Sequence, residues 1–304
     1  MDSSVSTQSN EITRQKNILD INHTRTCHCG PTHINCITPK EWIKCQLGVW
    51  EFKYEERDVR DKTIHPATYP IELATKIISL FSHKGELVVD PFVGSGTTLI
   101  AARDLERNAV GFDLSKKYVD FCNTRLSQQR LSTKSKQLAI DDDALNISNY
   151  FKEETIKCMV TSPPYANLLN RKRKNKSRRG SKRYNDQYLK VEQYSQDTRD
   201  LGTMDIHNFS EAIYQIYKNA LPYLKPKGHS VINVADMWMD NKRIPIHIYV
   251  TNAMERAGYE LRNTIIWNRL NIVNNLGIFG WPSNYITMGT TFEYILDFWK
   301  PDKK

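Results

Sequence analysis

Thr161-Ser162-Pro163-Pro164-Tyr165 sets a hydroxyl, two prolines and an aromatic ring at the end of a short apolar run, Cys158-Met159-Val160. The run reads as a buried strand and the five residues as its mouth. Consecutive prolines can neither extend a central strand nor enter a helix interior, so they hold the backbone stiff and extended. Their carbonyl oxygens are left without ladder partners. Such a loop can accept hydrogen bonds from an amino group while the ring stacks on a flat partner, which is what holding a nucleobase drawn out of its helix requires. The plainer reading of an isolated Ser-Pro-Pro is an ordinary turn.

A second motif upstream supplies context. Leu87-Val88-Val89-Asp90 is an apolar run ending in an acid, followed by Pro91-Phe92-Val93-Gly94-Ser95-Gly96-Thr97-Thr98 and then Leu99-Ile100-Ala101-Ala102. This spells strand, glycine turn, helix. Glycines let the backbone approach a ligand and take positive φ, and the helix start offers free N–H donors. Alone, Gly-x-Gly is a tight turn. The stretch lacks the third glycine of a nicotinamide site, where Leu99 stands, and the Gly-Lys-Ser/Thr of a phosphate loop. Asn108–Asp113 reads as the next strand, ending in an acid about twenty residues on, where a carboxylate can bind ribose hydroxyls; the alternative is a cap on the following helix. Asp141-Asp142-Asp143 after Leu138-Ala139-Ile140 repeats the strand-then-acid rhythm. A pocket lined at strand ends follows.

With both motifs in this order, the chain resembles the S-adenosylmethionine-dependent amino-methyltransferases of DNA. The resemblance runs from about Lys62 to Lys300, through His65–Ala74 before the glycine strand, Tyr259–Asn268 and Thr291–Leu296. It implies a Rossmann-like class I methyltransferase, an α/β fold with a mainly parallel seven-stranded sheet and helices on both faces. It further implies that Pro66, Tyr69, Asp90, Pro91, Phe92, Gly94, Ser95, Gly96, Thr97, Asp113 and Asp143 bind S-adenosylmethionine, with Pro66 and Tyr69 near the methionine end and Asp143 near the adenine. Ser162, Pro163, Pro164 and Tyr165 become the catalytic residues. Relatives with Ser at the first motif position mostly methylate cytosine N4, and those with Asp mostly adenine N6. The implied activity is therefore transfer of methyl to the N4 amine of a flipped cytosine in double-stranded DNA, in a restriction–modification system with a cognate endonuclease. Adenine N6, an RNA base amine, and a non-catalytic DNA-binding module are the alternatives; an oxidoreductase is disfavoured by the missing glycine.

The composition suits a polyanionic partner. The 304 residues carry 43 Lys and Arg against 34 Asp and Glu, a formal charge of +9. The excess is concentrated in Arg171, Lys172, Arg173, Lys174, Lys176, Arg178, Arg179, Lys182 and Arg183, directly after the proline motif and without an acid among them. These are candidate DNA phosphate contacts; a solvated loop or localisation-type patch is the competing reading. Residues 1–24 read as a flexible polar segment with no apolar core of a signal peptide, and no apolar run nears the ~20 residues of a membrane span; the resemblance to restriction–modification enzymes implies a prokaryotic cytoplasm. Monomer and homodimer both fit.

The remaining elements must position these motifs. Residues 62–304 read as the catalytic domain with a basic insert at about 166–207, and 25–61 as an N-terminal extension. Helical spacing covers Glu72–Ser82, Phe209–Leu224 with Asn208 as N-cap, and Ile246–Ala257 ended by Gly258; Pro226-Lys227-Gly228 separates the second from a strand at Ser230–Val234. Target recognition falls to the insert, the extension or the 269–289 loop. Four of the six cysteines, Cys27, Cys29, Cys36 and Cys45, cluster near His28 and His33. A Cys-x-Cys without a second close pair is a poor zinc signature, so free thiols and no metal are the expectation.

Overall fold

Twelve strands and seven helices are present among the described residues of the chain. In order they are α1 (Pro39–Cys45), β1 (Val49–Glu51), α2 (Glu56–Val59), α3 (Ile71–Phe81), β2 (Leu87–Asp90), α4 (Thr97–Asp104), β3 (Asn108–Asp113), α5 (Lys116–Gln128), β4 (Gln137–Asp141) and β5 (Ile156–Thr161). Then follow α6 (Ile206–Ala220), β6 (Leu224–Val234), β7 (Met237–Met239), β8 (Lys242–Ile244), α7 (Ile246–Arg256), β9 (Glu260–Asn268), β10 (Gly280–Trp281), β11 (Tyr285–Ile286) and β12 (Phe292–Trp299). The structure is a computed structural model describing residues 17–59, 69–128, 134–166, 197–239, 242–271, 280–281, 285–286 and 289–302.

Leu87, Val88 and Val89 explain the layering. A strand apolar at successive positions must be covered on both faces. Leu87 and Val89 join the core under α6 and α7, with Phe209, Ile213, Ile216, Val250 and Met254. Val88 points the other way, into the core under α3, α4 and α5, with Leu73, Ile77, Leu99 and Val119. Each such fully buried aliphatic side chain contributes about 1.5–3 kcal/mol relative to exposure.

The main sheet has the order β1-β9-β12-β6-β5-β2-β3-β4. β4, β3, β2, β5 and β6 run parallel, and β12 is antiparallel to both its neighbours. The seven strands from β9 to β4 are the expected sheet. The eighth was not expected: β1, from the N-terminal extension, pairs parallel with β9 at the edge, Trp50 opposite Trp267. Trp50 and Phe52 are each 3% exposed, so the extension adds to the core.

Three boundaries differ from the sequence reading. α6 starts at Ile206, capped by Asp205, whose carboxylate accepts from the amides of His207 and Asn208. Asn208 is thus the third residue of the helix, not its cap. The helix ends at Ala220 because Pro222 forces a short 3-10 turn. β6 begins at Leu224, with Pro226-Lys227-Gly228 inside it as an irregularity where its register to β5 shifts. No helix among the described residues is long and apolar enough to cross a membrane.

Candidate functional site

Chain order reverses between β2 and β5: β3 and β4 lie to one side of β2, β5 and β6 to the other. Ligands of doubly wound sheets bind outside the carboxyl ends of strands at such a switch point. A cavity of about 650 Å³ opens there. Its walls include Tyr69, Pro91, Phe92, Gly94, Ser95 and Thr97 from around the glycine turn, Asp113 and Asp143 from beyond β3 and β4, and all of Ser162, Pro163, Pro164 and Tyr165 from beyond β5.

Asp90 ties the two motifs together from beneath. It ends β2 and is 1% exposed. Its Oδ1 accepts from the Phe92 amide at 3.0 Å and from Thr161 Oγ1 at 2.5 Å, and its Oδ2 accepts from the Thr98 hydroxyl. Thr98 in turn pairs with the Tyr69 hydroxyl. One carboxylate therefore fixes the glycine turn, the first turn of α4, Tyr69 and the residue immediately before Ser162. Burial pushes the Asp90 carboxyl up to about 6, against the hydrogen bonds from Thr161, Thr98 and Phe92.

Asp113 ends β3. Its Oδ2 accepts from the Gly94 amide at 3.0 Å and its Oδ1 from the Ser115 amide at 2.8 Å. It steadies the glycine turn and the entry to α5 while facing the cavity. Burial raises it too, to about 6, with the two amides opposing. Among the described residues neither Asp90 nor Asp113 has a basic side-chain partner. Asp143 caps the 3-10 turn Ala144–Asn149 through the Leu145 amide and lies 3.8 Å from an Arg199 nitrogen.

Two residues of the sequence reading are not among those lining the cavity. Asp90 underlies the cavity rather than lining it. Gly96 is also outside the walls: it has φ +86°, and a Cβ there would stand 2.4 Å from Cys122 Sγ. The left-handed backbone and the packing of α5 both call for glycine here. Pro66, the basic residues Arg171, Lys172, Arg173, Lys174, Lys176, Arg178, Arg179, Lys182 and Arg183, and most of the insert and of the 269–289 loop lie outside the described residues.

The far wall was missed. Asn233 at the end of β6, Trp267 on β9, Arg269 just after it, and Glu293 on β12 line the cavity beyond Ser162, with Tyr54 of the extension. Asn233 Nδ2 donates to Glu293 Oε2 at 2.6 Å, and Arg269 donates to the other Glu293 oxygen. Buried Asn233 Oδ1, Trp267 Nε1 and Arg269 Nε have no partner among the described residues. The placement of Asn233 at a parallel-strand terminus was a usable signal. Glu293 offered none, because it lies near the start of a strand and reaches this edge only because β12 is reversed.

All six cysteines are free thiols. The sulfurs of Cys27, Cys29 and Cys36 converge with a ring nitrogen of His83, all four atoms within 4.8 Å of one another. Cys45, at the end of α1, is not in the group.

A doubly wound sheet with one reversed strand, and a cavity at its switch point walled by a glycine turn and strand-end acids, defines the Rossmann-like class I methyltransferase fold. The chain belongs to the N6/N4 methyltransferase family, described as DNA methylase, whose model matches residues 7–124 and 156–304. Shorter stretches resemble the Type II methyltransferases M.HpaI of Haemophilus parainfluenzae (35% identical, 27% of this chain and 26% of that protein) and M.MjaI of Methanocaldococcus jannaschii (32%, 36% and 34%). M1.MboII of Moraxella bovis is 37% identical over 31% of this chain and 40% of that protein. The matched stretches thus span well under two thirds of these relatives. Among solved structures, TrmN from Thermus thermophilus aligns with a TM-score of 0.49 at 15% identity, over 80% of this chain and 53% of that one. A TehB-like SAM-dependent methyltransferase from Corynebacterium glutamicum aligns with 0.42 at 12%, over 80% and 95%.

Proposed function

We propose that the chain methylates the exocyclic N4 amine of a cytosine flipped from double-stranded DNA, as the modification enzyme of a restriction–modification system. The observation that carries this reading is the single cavity shared by the glycine turn and the Ser162–Tyr165 loop, with Asp90 bonded to both sides.

The cavity suits S-adenosylmethionine. That molecule carries an ammonium, a sulfonium and ribose hydroxyls, and the cavity wall offers Asp113, which has no basic partner among the described residues, and Asp143. Asp113 and Asp143 would accept from hydroxyl and amine hydrogens, Phe92 and Leu145 would flank the rings, and Tyr69 would close the methionine end. When bound, S-adenosylmethionine supplies an electrophilic methyl group.

Ser162 Oγ and the Pro163 carbonyl accept the two N–H bonds of the base amine. An exocyclic amine is a weak nucleophile because its lone pair is delocalised into the ring; fixing both hydrogens draws the nitrogen toward a tetrahedral shape and frees that pair. The gain is positioning and electrostatics, without a covalent enzyme intermediate. Tyr165 stacks on the base, a contact worth about 1–3 kcal/mol. Arg171–Arg183 and the N-terminal extension would meet DNA.

The choice of cytosine rests on Ser162, where an Asp would favour adenine N6. Incubating the protein with duplex DNA and methyl-labelled cofactor, then digesting to nucleosides, is expected to yield N4-methylcytosine. N6-methyladenine as the sole product would overturn the choice of base, and label in RNA but not DNA would overturn the substrate.

A further inference from the structure

We infer that Cys27, Cys29, Cys36 and His83 form a structural zinc site that clips the N-terminal extension to the methyltransferase core. His83 Nδ1 lies 3.3 Å from Cys27 Sγ and 3.4 Å from Cys36 Sγ. A tetrahedral zinc with ordinary Zn–S and Zn–N bonds sets sulfur and nitrogen about 3.6 Å apart, so His83, Cys27 and Cys36 already hold nearly that spacing, and Cys29 Sγ lies within 4.8 Å of each of them. Three thiolates and one imidazole is an established structural zinc set.

The surroundings are built for it. His83 Nε2 lies 2.9 Å from the His33 carbonyl, which can only accept, so Nε2 carries the hydrogen and Nδ1 turns a bare lone pair toward the sulfurs. That is the outer hydrogen bond that fixes tautomer and ring orientation in metal-bound histidine. The Lys84 amide donates to Cys36 Sγ at 3.4 Å. Zinc with three thiolates carries one net negative charge. The Arg107 guanidinium is 3% exposed and bonded to neutral acceptors, the Ser82 hydroxyl and carbonyl and the Leu105 carbonyl; burial lowers its pKa, and Cys36 and Cys27 oppose that shift.

The clip has a purpose in the fold. His83 lies between α3 and β2, the strand that ends in Asp90. The extension docks there through Thr26 N to Lys84 O at 2.8 Å and Asn35 Nδ2 to Leu80 O at 2.9 Å, and the segment just before it through Asn22 Nδ2 to Gly85 O at 3.1 Å. Zinc would fix these contacts, and with them the path to β1 and to Tyr54 on the cavity wall.

The test uses the full chain, purified without metal-affinity chromatography. Elemental analysis is expected to find one zinc per chain, falling below about a tenth of that in Cys36→Ser and His83→Ala and unchanged in Cys45→Ser. Cysteine alkylation mapped by mass spectrometry is expected to spare Cys27, Cys29 and Cys36 until a chelator is added. Adding Co(II) to the chelated, reduced wild type is expected to give the intense visible bands of a tetrahedral thiolate site, a readout that does not depend on any variant folding. Absence of both zinc and the cobalt spectrum overturns the site; loss of zinc in Cys45→Ser overturns this ligand set.

Discussion

Ser162 carries the sharpest expectation at the scale of single residues. In the proposed role, replacing its hydroxyl removes one acceptor for the base amine, whereas the glycine turn is held by Asp90 and Asp113. Ser162→Ala is expected to bind S-adenosylmethionine as the wild type does and to lose about 10²-fold in kcat, the usual scale for removing one preorganised hydrogen-bonding group. Equilibrium binding and single-turnover methylation separate the two, and unchanged turnover would misassign the role. Asp113 gives a pH signature. In the proposed role only its ionised form would accept from two ribose hydroxyls while holding the Gly94 and Ser115 amides, and burial raises its pKa to about 6. Affinity for the cofactor should therefore rise with pH through that value. The dissociation constant is expected to be about tenfold weaker at pH 5 than at pH 8. Calorimetry across that range checks this, with Asp113→Asn losing the dependence.

Elements show why the residues stay in place. The turn into α4 is strained toward glycine by its own backbone and by α5. Gly96→Ala would put a methyl group 2.4 Å from Cys122 Sγ at φ +86°. The expected cost is about 2–4 kcal/mol by urea unfolding, from the steric clash and the left-handed backbone together. Adding Cys122→Ala should recover only the steric part. Thr161→Val acts between elements: it removes the hydroxyl at 2.5 Å from Asp90 and leaves a buried carboxylate short of a donor. About 1–3 kcal/mol of stability is expected to go. The catalytic rate should fall as well, because the link from glycine turn to Ser162 is cut; full activity in this variant would show that the link is structural only.

The whole molecule is a basic protein, with a formal charge of +9, and its charge bears on binding rather than chemistry. Deleting residues 171–183, nine of which are basic, is expected to weaken duplex DNA binding and flatten its salt dependence. An unchanged slope of log affinity against log salt would reduce the run to a solvated loop.

Much of this was legible in the residues. Leu87–Asp90 and Cys158–Thr161 announced buried strands, Gly94 and Gly96 a turn, and Ser162–Tyr165 a loop at the mouth of its strand, because each depends on neighbours in the chain. Period and turn chemistry are local, so the sequence determined the layered α/β class, the order of strands and helices, and the acids at strand ends. Only the tertiary structure decided what meets across the chain. It put Asp90 beneath the cavity with Thr161 and Thr98, gave Gly96 to packing against Cys122, and brought Glu293 to the site by reversing β12. It also passed over Cys45 for His83, which reaches the three thiols after the intervening chain has formed α1, β1 and α3. Contacts of that kind are set by how strands pair and faces bury, and no spacing along one chain encodes them.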